Sequence, residues 1–290
     1  MSGLLAESDS ATSEETSQLN CMEVWGGFES ADKSFTTTGL EVELRSRPCH
    51  GSSNGGDVYY ISSCASGRIS RILLADVSGH GDEVAETSQI LKNLVRKNIN
   101  FISAKRLTRQ LNRDFNSEES VRGFATALIA TYYCPSKTMT MNIAGHPTPL
   151  VYRSKLSQWE PLVPLEESHP KLTDLPLGVF DETNYQTTFV KLDDNDIVLC
   201  YTDGLIELQR EDKSLLGIGG LLEILNRFSL PENNRIDAIV DHVSEATVSP
   251  LDADDLTLIL MKAIPAKITL ADNLMAPFRV IKGLFHRDEN

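Results

Sequence analysis

Long apolar runs are missing from this chain: in 290 residues none approaches the ~20 that a membrane-spanning helix needs. Cysteine is sparse. The five residues (Cys21, Cys49, Cys64, Cys134, Cys200) are odd in number and scattered, with no Cys-x-x-Cys pair. That excludes an obvious disulfide framework and leads us to expect a reducing, cytoplasmic compartment. Several fall inside apolar runs and read as small buried hydrophobes. Positive charge is also short, with 27 Lys and Arg against 41 Asp and Glu, a net of -14. Such a balance argues against a nucleic-acid binder, which usually carries a basic face. The N-terminus has no basic start followed by an apolar stretch, so no secretory signal is expected. No repeat of fixed period is visible, and His50, His169, His242 and His286 fit no metal-ligand spacing.

What is present is ordinary globular composition, 41% hydrophobic and 23% charged. Residues 1–20 are rich in Ser, Thr, Glu and Ala and read as a disordered tail. Cys21 to Gly27, with a tryptophan beside two glycines, reads as an ordered segment packed on the domain. Leu40 to Leu44 alternates apolar and acidic residues, which predicts a strand with one buried and one wet face. Val58 to Ser63 and Ile69 to Val77, turning near Gly67, predict a hairpin with Asp57 and Asp76 at the same sheet edge. After Gly81 the period changes. Val84, Ser88, Leu91, Leu94 and Val95 share one helical face, with Asp82 and Glu83 suiting its N-terminus. A second helix is expected over Ala104 to Phe115. Strands follow over 124–133, 138–143, 149–152, 185–190 and 196–201, then helices over 217–228 and 235–246, and a last strand over 256–261. In the segment 265–290, Leu270, Leu274, Phe278, Ile281 and Phe285 are spaced as one helical face interrupted by Pro277, an amphipathic tail.

Four aspartates end apolar runs, most beside glycine: Asp57 in Gly55-Gly56-Asp57, Asp76 in Ala75-Asp76-Val77-Ser78-Gly79-His80-Gly81, Asp203 in Tyr201-Thr202-Asp203-Gly204, and Asp254 in Asp254-Asp255-Leu256-Thr257. Carboxylates at strand ends are what hard divalent cations need, and glycine lets backbone approach them. Two cations held by four carboxylates would activate water against a phosphate. Each aspartate alone reads equally well as turn chemistry. Asp255 rivals Asp254, because adjacent strand residues face opposite ways and only one should point at the cations. No Cys-x5-Arg loop is present for a phosphocysteine route.

The order Gly-Gly-Asp, Asp-Val-Ser-Gly-His-Gly, Ala-Gly-His-Pro, Leu-Gly, Tyr-Thr-Asp-Gly, Asp-Asp-x-Thr, running from about Leu40 to Lys262, resembles the bacterial branch of the metal-dependent PPM (PP2C-type) serine/threonine phosphatases. More narrowly, it resembles the stage II sporulation E and sigma-regulator phosphatases. The resemblance implies an α+β fold, a four-layer α-β-β-α sandwich of two antiparallel sheets flanked by helices, over residues 21–264. It implies two Mn2+ or Mg2+ ions held by Asp57, Asp76, the Val77 carbonyl, Asp203 and Asp254, with Asp76 between the ions. His80 is the candidate general acid for the leaving oxygen; its alternative is a turn into the next helix. His146 reads as a loop-shaping residue. The implied substrate is a phosphoserine or phosphothreonine on an anti-sigma-antagonist (STAS-type) or similar partner-switching protein. Relatives often carry an upstream sensor domain for which the N-terminal tail is too short, so control is expected from a separate activating protein or from the helices after Gly81. A catalytically inactive phosphoprotein-binding scaffold and a small-molecule phosphohydrolase are the competing readings. Asn195-Asp196 stands where the pattern usually has Gly-Asp.

Overall fold

The computed structural model describes residues 17–18, 24–49, 52, 54–64, 68–79, 82–99, 101, 103–164 and 173–266. In chain order the elements are β1 (Ser17–Gln18), β2 (Val24–Glu29), β3 (Ala31–Thr37), β4 (Leu40–Arg47), β5 (Asn54–Cys64), β6 (Ile69–Val77), α1 (Asp82–Asn98), α2 (Ala104–Ser117), β7 (Ala125–Tyr133) and β8 (Thr138–Ala144). They continue with β9 (Leu150–Arg153), β10 (Gln158–Pro161), β11 (Thr188–Lys191), β12 (Ile197–Tyr201), α3 (Gly217–Leu225), α4 (Arg235–Glu245) and β13 (Leu256–Ala263). One sheet runs β1-β3-β4-β13-β12-β9-β10 and the other β11-β8-β7-β6-β5-β2. Every pairing is antiparallel except the two-residue contact of β1 with β3. Ser17–Gln18 thus pair within the segment expected as a tail; the remaining positions of 1–20, the expected helix over 267–290, Gly67 and His80 lie outside the described residues.

Side-chain alternation makes the layers. Val42, Leu44, Ile61, Ile72, Leu74, Leu128, Val198, Cys200 and Ile259 meet between the sheets. The intervening residues of β5 to β7, among them Val58, Tyr60, Leu73 and Ala75, pack under Leu91, Val95, Leu107, Leu111 and Phe115 of α1 and α2. On the other side, Leu199, Tyr201, Leu258 and Leu260 pack under Leu221, Ile239 and Val243 of α3 and α4. Period-2 strands buried on both faces, each sheet capped by a helix layer, are the α-β-β-α sandwich that was expected.

Two expectations need correction. The second face of β4 is only partly wet: Glu41 keeps some exposure, but Glu43 is buried, its carboxylate 2.5 Å from Arg235 and 3.1 Å from the Ile236 amide at the start of α4. An anion at a helix N-terminus satisfies an otherwise orphaned amide, so the acidic residue is part of the helix seat. The strand expected over 185–190 begins only at Thr188. The Gln186 amide donates to Asp174 and the Gln186 carbonyl accepts from the buried Asn142, so side chains take its backbone groups before the ladder begins.

Candidate active site

Asp57 and Asp76 are register partners in the β5–β6 hairpin, and Asp76 also faces Thr126 across β6–β7. All three follow the inward-facing parity of Tyr59, Leu74 and Leu128, so they stand in a row where the inter-sheet core opens. From the opposite sheet, Thr202 follows the inward-facing Cys200, and Asp203 begins a single 3-10 turn, Asp203–Leu205. Asp254 and Asp255 precede β13, which pairs with β12. Two carboxylates therefore come from each sheet, brought together because both sheets end at the same rim.

Beneath them lies a buried polar floor. The Thr202 hydroxyl donates to Asp57 Oδ2 at 2.8 Å and accepts from the Thr257 amide at 2.9 Å, and the Thr257 hydroxyl lies 2.9 Å from Ser46 Oγ. Asp57 is 3% exposed, yet its Oδ1 has no hydrogen-bond partner. Burial and the neighbouring charge of Asp76 hold the Asp57 carboxyl well above the usual range, and hydrogen bonds from Thr257 and Thr202 only partly oppose this. Asp76 is pushed up to about 7, first by burial and then by Asp203, Asp254, Asp255 and Glu207. Asp203 is raised by burial, Glu207 and Asp254. Like charges gathered where water is scarce favour protons or cations.

Glu207 was not anticipated. It follows Asp203 by four residues, its amide bonding to the Asp203 carbonyl at 2.9 Å, a spacing in Asp203-Gly-Leu-Ile-Glu207 that a helical reading of the turn could have caught. Asp254 and Asp255 differ in their hydrogen bonding. Asp255 accepts from the Cys49 amide at 2.6 Å and from the Gly56 amide, whereas Asp254 is exposed and accepts from the Asp255 amide. His146 is buried and held to about 3 by burial, against the opposing pull of the Tyr201 backbone, so its ring is neutral; its Nδ1 lies 2.8 Å from Thr126 Oγ1. It ties the Gly145 loop to the strand beside Asp76, in keeping with a loop-shaping role. Asn195 keeps the turn before β12 with φ of 70°, a left-handed conformation asparagine tolerates.

Among the described residues no three His, Cys, Asp or Glu side chains converge tightly enough to form a ready-made metal cage. The donor set nevertheless suits a hard cation in kind: oxygen donors only, raised proton affinity, and one buried carboxylate oxygen without a partner. The Val77 carbonyl faces the same place, since a Cβ on Gly56 would lie 2.9 Å from it and 3.3 Å from Asp76 Oδ1.

This sandwich, with its carboxylate rim, is the fold of the PP2C-type phosphatases. The sequence profile of the Stage II sporulation protein E (SpoIIE) family matches residues 66–264, well over half of the chain, and the chain belongs to that family. Among solved structures, the RsbU and RsbW domains of a Mycobacterium tuberculosis protein superpose with a TM-score of 0.63 at 20% identity, over 89% of this chain and 71% of that one. RsbX in complex with magnesium gives 0.59 at 16% identity, over 80% of this chain and 100% of that one. The PP2C phosphatase domain of Bacillus subtilis SpoIIE, with a fragment of its regulatory domain, gives 0.61 at 17% identity, over 79% and 63%. These likenesses show the fold. A search of curated protein sequences finds no match. No helix among the described residues is long and apolar enough to cross a membrane.

Proposed function

We propose that residues 21–264 form a metal-dependent protein phosphatase that hydrolyses phosphoserine or phosphothreonine on a regulatory protein of the anti-sigma-antagonist (STAS) type. The observation that carries this reading is the pairing of two carboxylates from each sheet at one rim, with the buried Asp57 Oδ1 unpartnered. Asp57, Asp76, the Val77 carbonyl, Asp203 and Asp254 would hold two Mn2+ or Mg2+ ions. When bound, such ions supply an acidified water as nucleophile and neutralise phosphoryl oxygens. Asp76, flanked by carboxylates from both sheets, would be the central group holding the ions. Four carboxylates balance two divalent charges, so the loaded rim does not repel a phosphate dianion, whereas the bare rim does. The Thr202 hydroxyl, fixed by the Thr257 amide, donates to Asp57 Oδ2 and leaves Oδ1 without a hydrogen-bond partner. His80, two residues after Ser78, is the proposed proton donor to the leaving seryl or threonyl oxygen. Support for a regulatory-protein partner comes from fold neighbours: RsbU and RsbW domains of one protein, and a structure from the bacterial stressosome, a signalling control system. Support for magnesium comes from RsbX. A cytoplasmic setting rests on the cysteine pattern.

The test is hydrolysis of an aryl phosphate with Mn2+, with chelator, and with Asp76→Asn in parallel. Mn2+-dependent turnover lost in the variant supports the assignment; turnover retained by Asp76→Asn would sink it. Competition between a phosphoserine peptide and small phosphate esters then separates a protein substrate from a small-molecule one.

A further inference from the structure

The motif glycines crowd a residue outside the four-carboxylate set. A Cβ on Gly55 would lie 2.8 to 2.9 Å from Asp255 Oδ2, Cγ and Oδ1, and a Cβ on Gly204 would lie 2.2 Å from the Asp255 carbonyl oxygen. Real Cβ atoms do not approach so closely: Gly204 faces backbone that cannot yield, whereas a side chain at Gly55 would have to displace the Asp255 carboxylate. The reason for Gly55 is therefore a carboxylate packed flat on the β5 backbone. Asp255 precedes β13 in one sheet; its carboxylate bonds to the Gly56 amide in the other sheet and to the Cys49 amide in the β4–β5 connection, the latter at 2.6 Å. Its carbonyl rests on Gly204, the residue after Asp203. Charge-assisted bonds of this kind are short and about twice as strong as neutral ones.

We infer that Asp255 is the positioning residue of the site: it clamps the rim and sets the separation between the Asp57–Asp76 pair on one sheet and the Asp203–Asp254 pair on the other. This rests on the two-cation reading above. Divalent ions such as Mg2+ tolerate little error in donor distance, and the four donors belong to two sheets that could slide apart at their ends. Thr202 and Thr257 also tie across this rim, through their hydrogen bonds to Asp57. Asp255 acts through the Gly56-Asp57 backbone and Asp254, not as a donor to the ions.

The experiment is calorimetric titration of Mn2+ into the metal-free protein, comparing wild type with Asp255→Asn and Gly55→Ala. Asparagine keeps the shape but turns an N–H2 towards a backbone N–H. Alanine at 55 pushes the carboxylate off from the opposite side, so it reproduces the defect without touching Asp255. Both should weaken Mn2+ binding by roughly tenfold or more, as loss of groups that orient metal ligands does. In both, the Mn2+ concentration for half-activation of aryl phosphate hydrolysis should rise in parallel, while kcat at saturating Mn2+ stays within about threefold of wild type. A merely structural role would lower the melting temperature and leave the affinity of the folded molecules unchanged. Wild-type Mn2+ affinity in either folded variant overturns the clamp alone. Absence of Mn2+ binding by the wild type overturns the two-cation reading and the clamp with it.

Discussion

Asp76 has carboxylates of the opposite sheet pressing on it: burial raises its proton affinity first, then Asp203 and Asp254, with Asp255 and Glu207 adding to the effect. Its value of about 7 lies above the ordinary aspartate value near 4. The native metal-free protein therefore binds more protons than the unfolded chain between those two values. Linkage then makes stability fall as pH rises from about 4 to about 7, on the order of a few kcal/mol, and level off above. Asp57 and Asp203 shift the same way and add to the slope. In chelator, the melting temperature should drop across this window, and Asp76→Asn should both flatten the profile and raise the melting temperature at pH 8. A metal-free profile that climbs with pH would contradict this. That the four aspartates gather at one rim was legible from their places at the ends of apolar runs. The different partners of Asp254 and Asp255, and the nearness of Glu207, were not. The first depends on which backbone amides a carboxylate reaches across the rim, and the second on a turn continuing past Gly204.

At the scale of elements, the hairpin of β5 and β6 and the first two helices could be read directly, because apolar residues recur at period 2 and then near 3.6. The edges could not. In β10 only Trp159 of four residues is buried, and in β3 only Ala31, Phe35 and Thr37 of seven. β10 ends its sheet, and β3 is covered on its outer side only by the two residues of β1, so both face water and leave little periodic trace. In β2, Gly26 and Gly27 are read by what lies over them: a Cβ would come within 2.8 Å of the Tyr60 ring and 2.7 Å of the Tyr59 hydroxyl. The buried pair of Glu43 and Arg235, joining β4 to α4, was equally hidden, since alternation in β4 suggested solvent. Replacing Arg235 by Met alone leaves Glu43 buried without its cation and should cost about 3–5 kcal/mol in denaturant unfolding. Adding Glu43→Leu removes the stranded charge and should recover much of that loss. Recovery should be incomplete, because the Ile236 amide also loses its acceptor. If the double variant is no more stable than Arg235→Met, the pair is not what seats α4.

Across the whole molecule, the sandwich is held along its length by the apolar core between the sheets, but at the site the sheets meet mainly through polar groups: Thr202 with Asp57, Asp255 with Gly56, and four carboxylates that repel one another. That end is the weak one until its charge is balanced, so cations should act there as a cross-link between sheets. Binding to the native state alone stabilises by about 2.7 kcal/mol per site at one hundred times Kd. For a domain of this size that corresponds to several degrees in melting temperature. Protection from amide hydrogen exchange should not rise evenly. It should increase at Gly56, Val77, Thr202 and Thr257, where the sheets meet the rim, and change little at Ile69 and Tyr133, which pair at the far end of the same strands. A metal-induced rise in protection that is uniform along β6 and β7 would mean that cations tighten the core as a whole. One confined to the rim, and absent in Asp76→Asn, would identify the rim as the seam that metal closes. The same strands would then serve as rigid core at one end and as an adjustable donor set at the other.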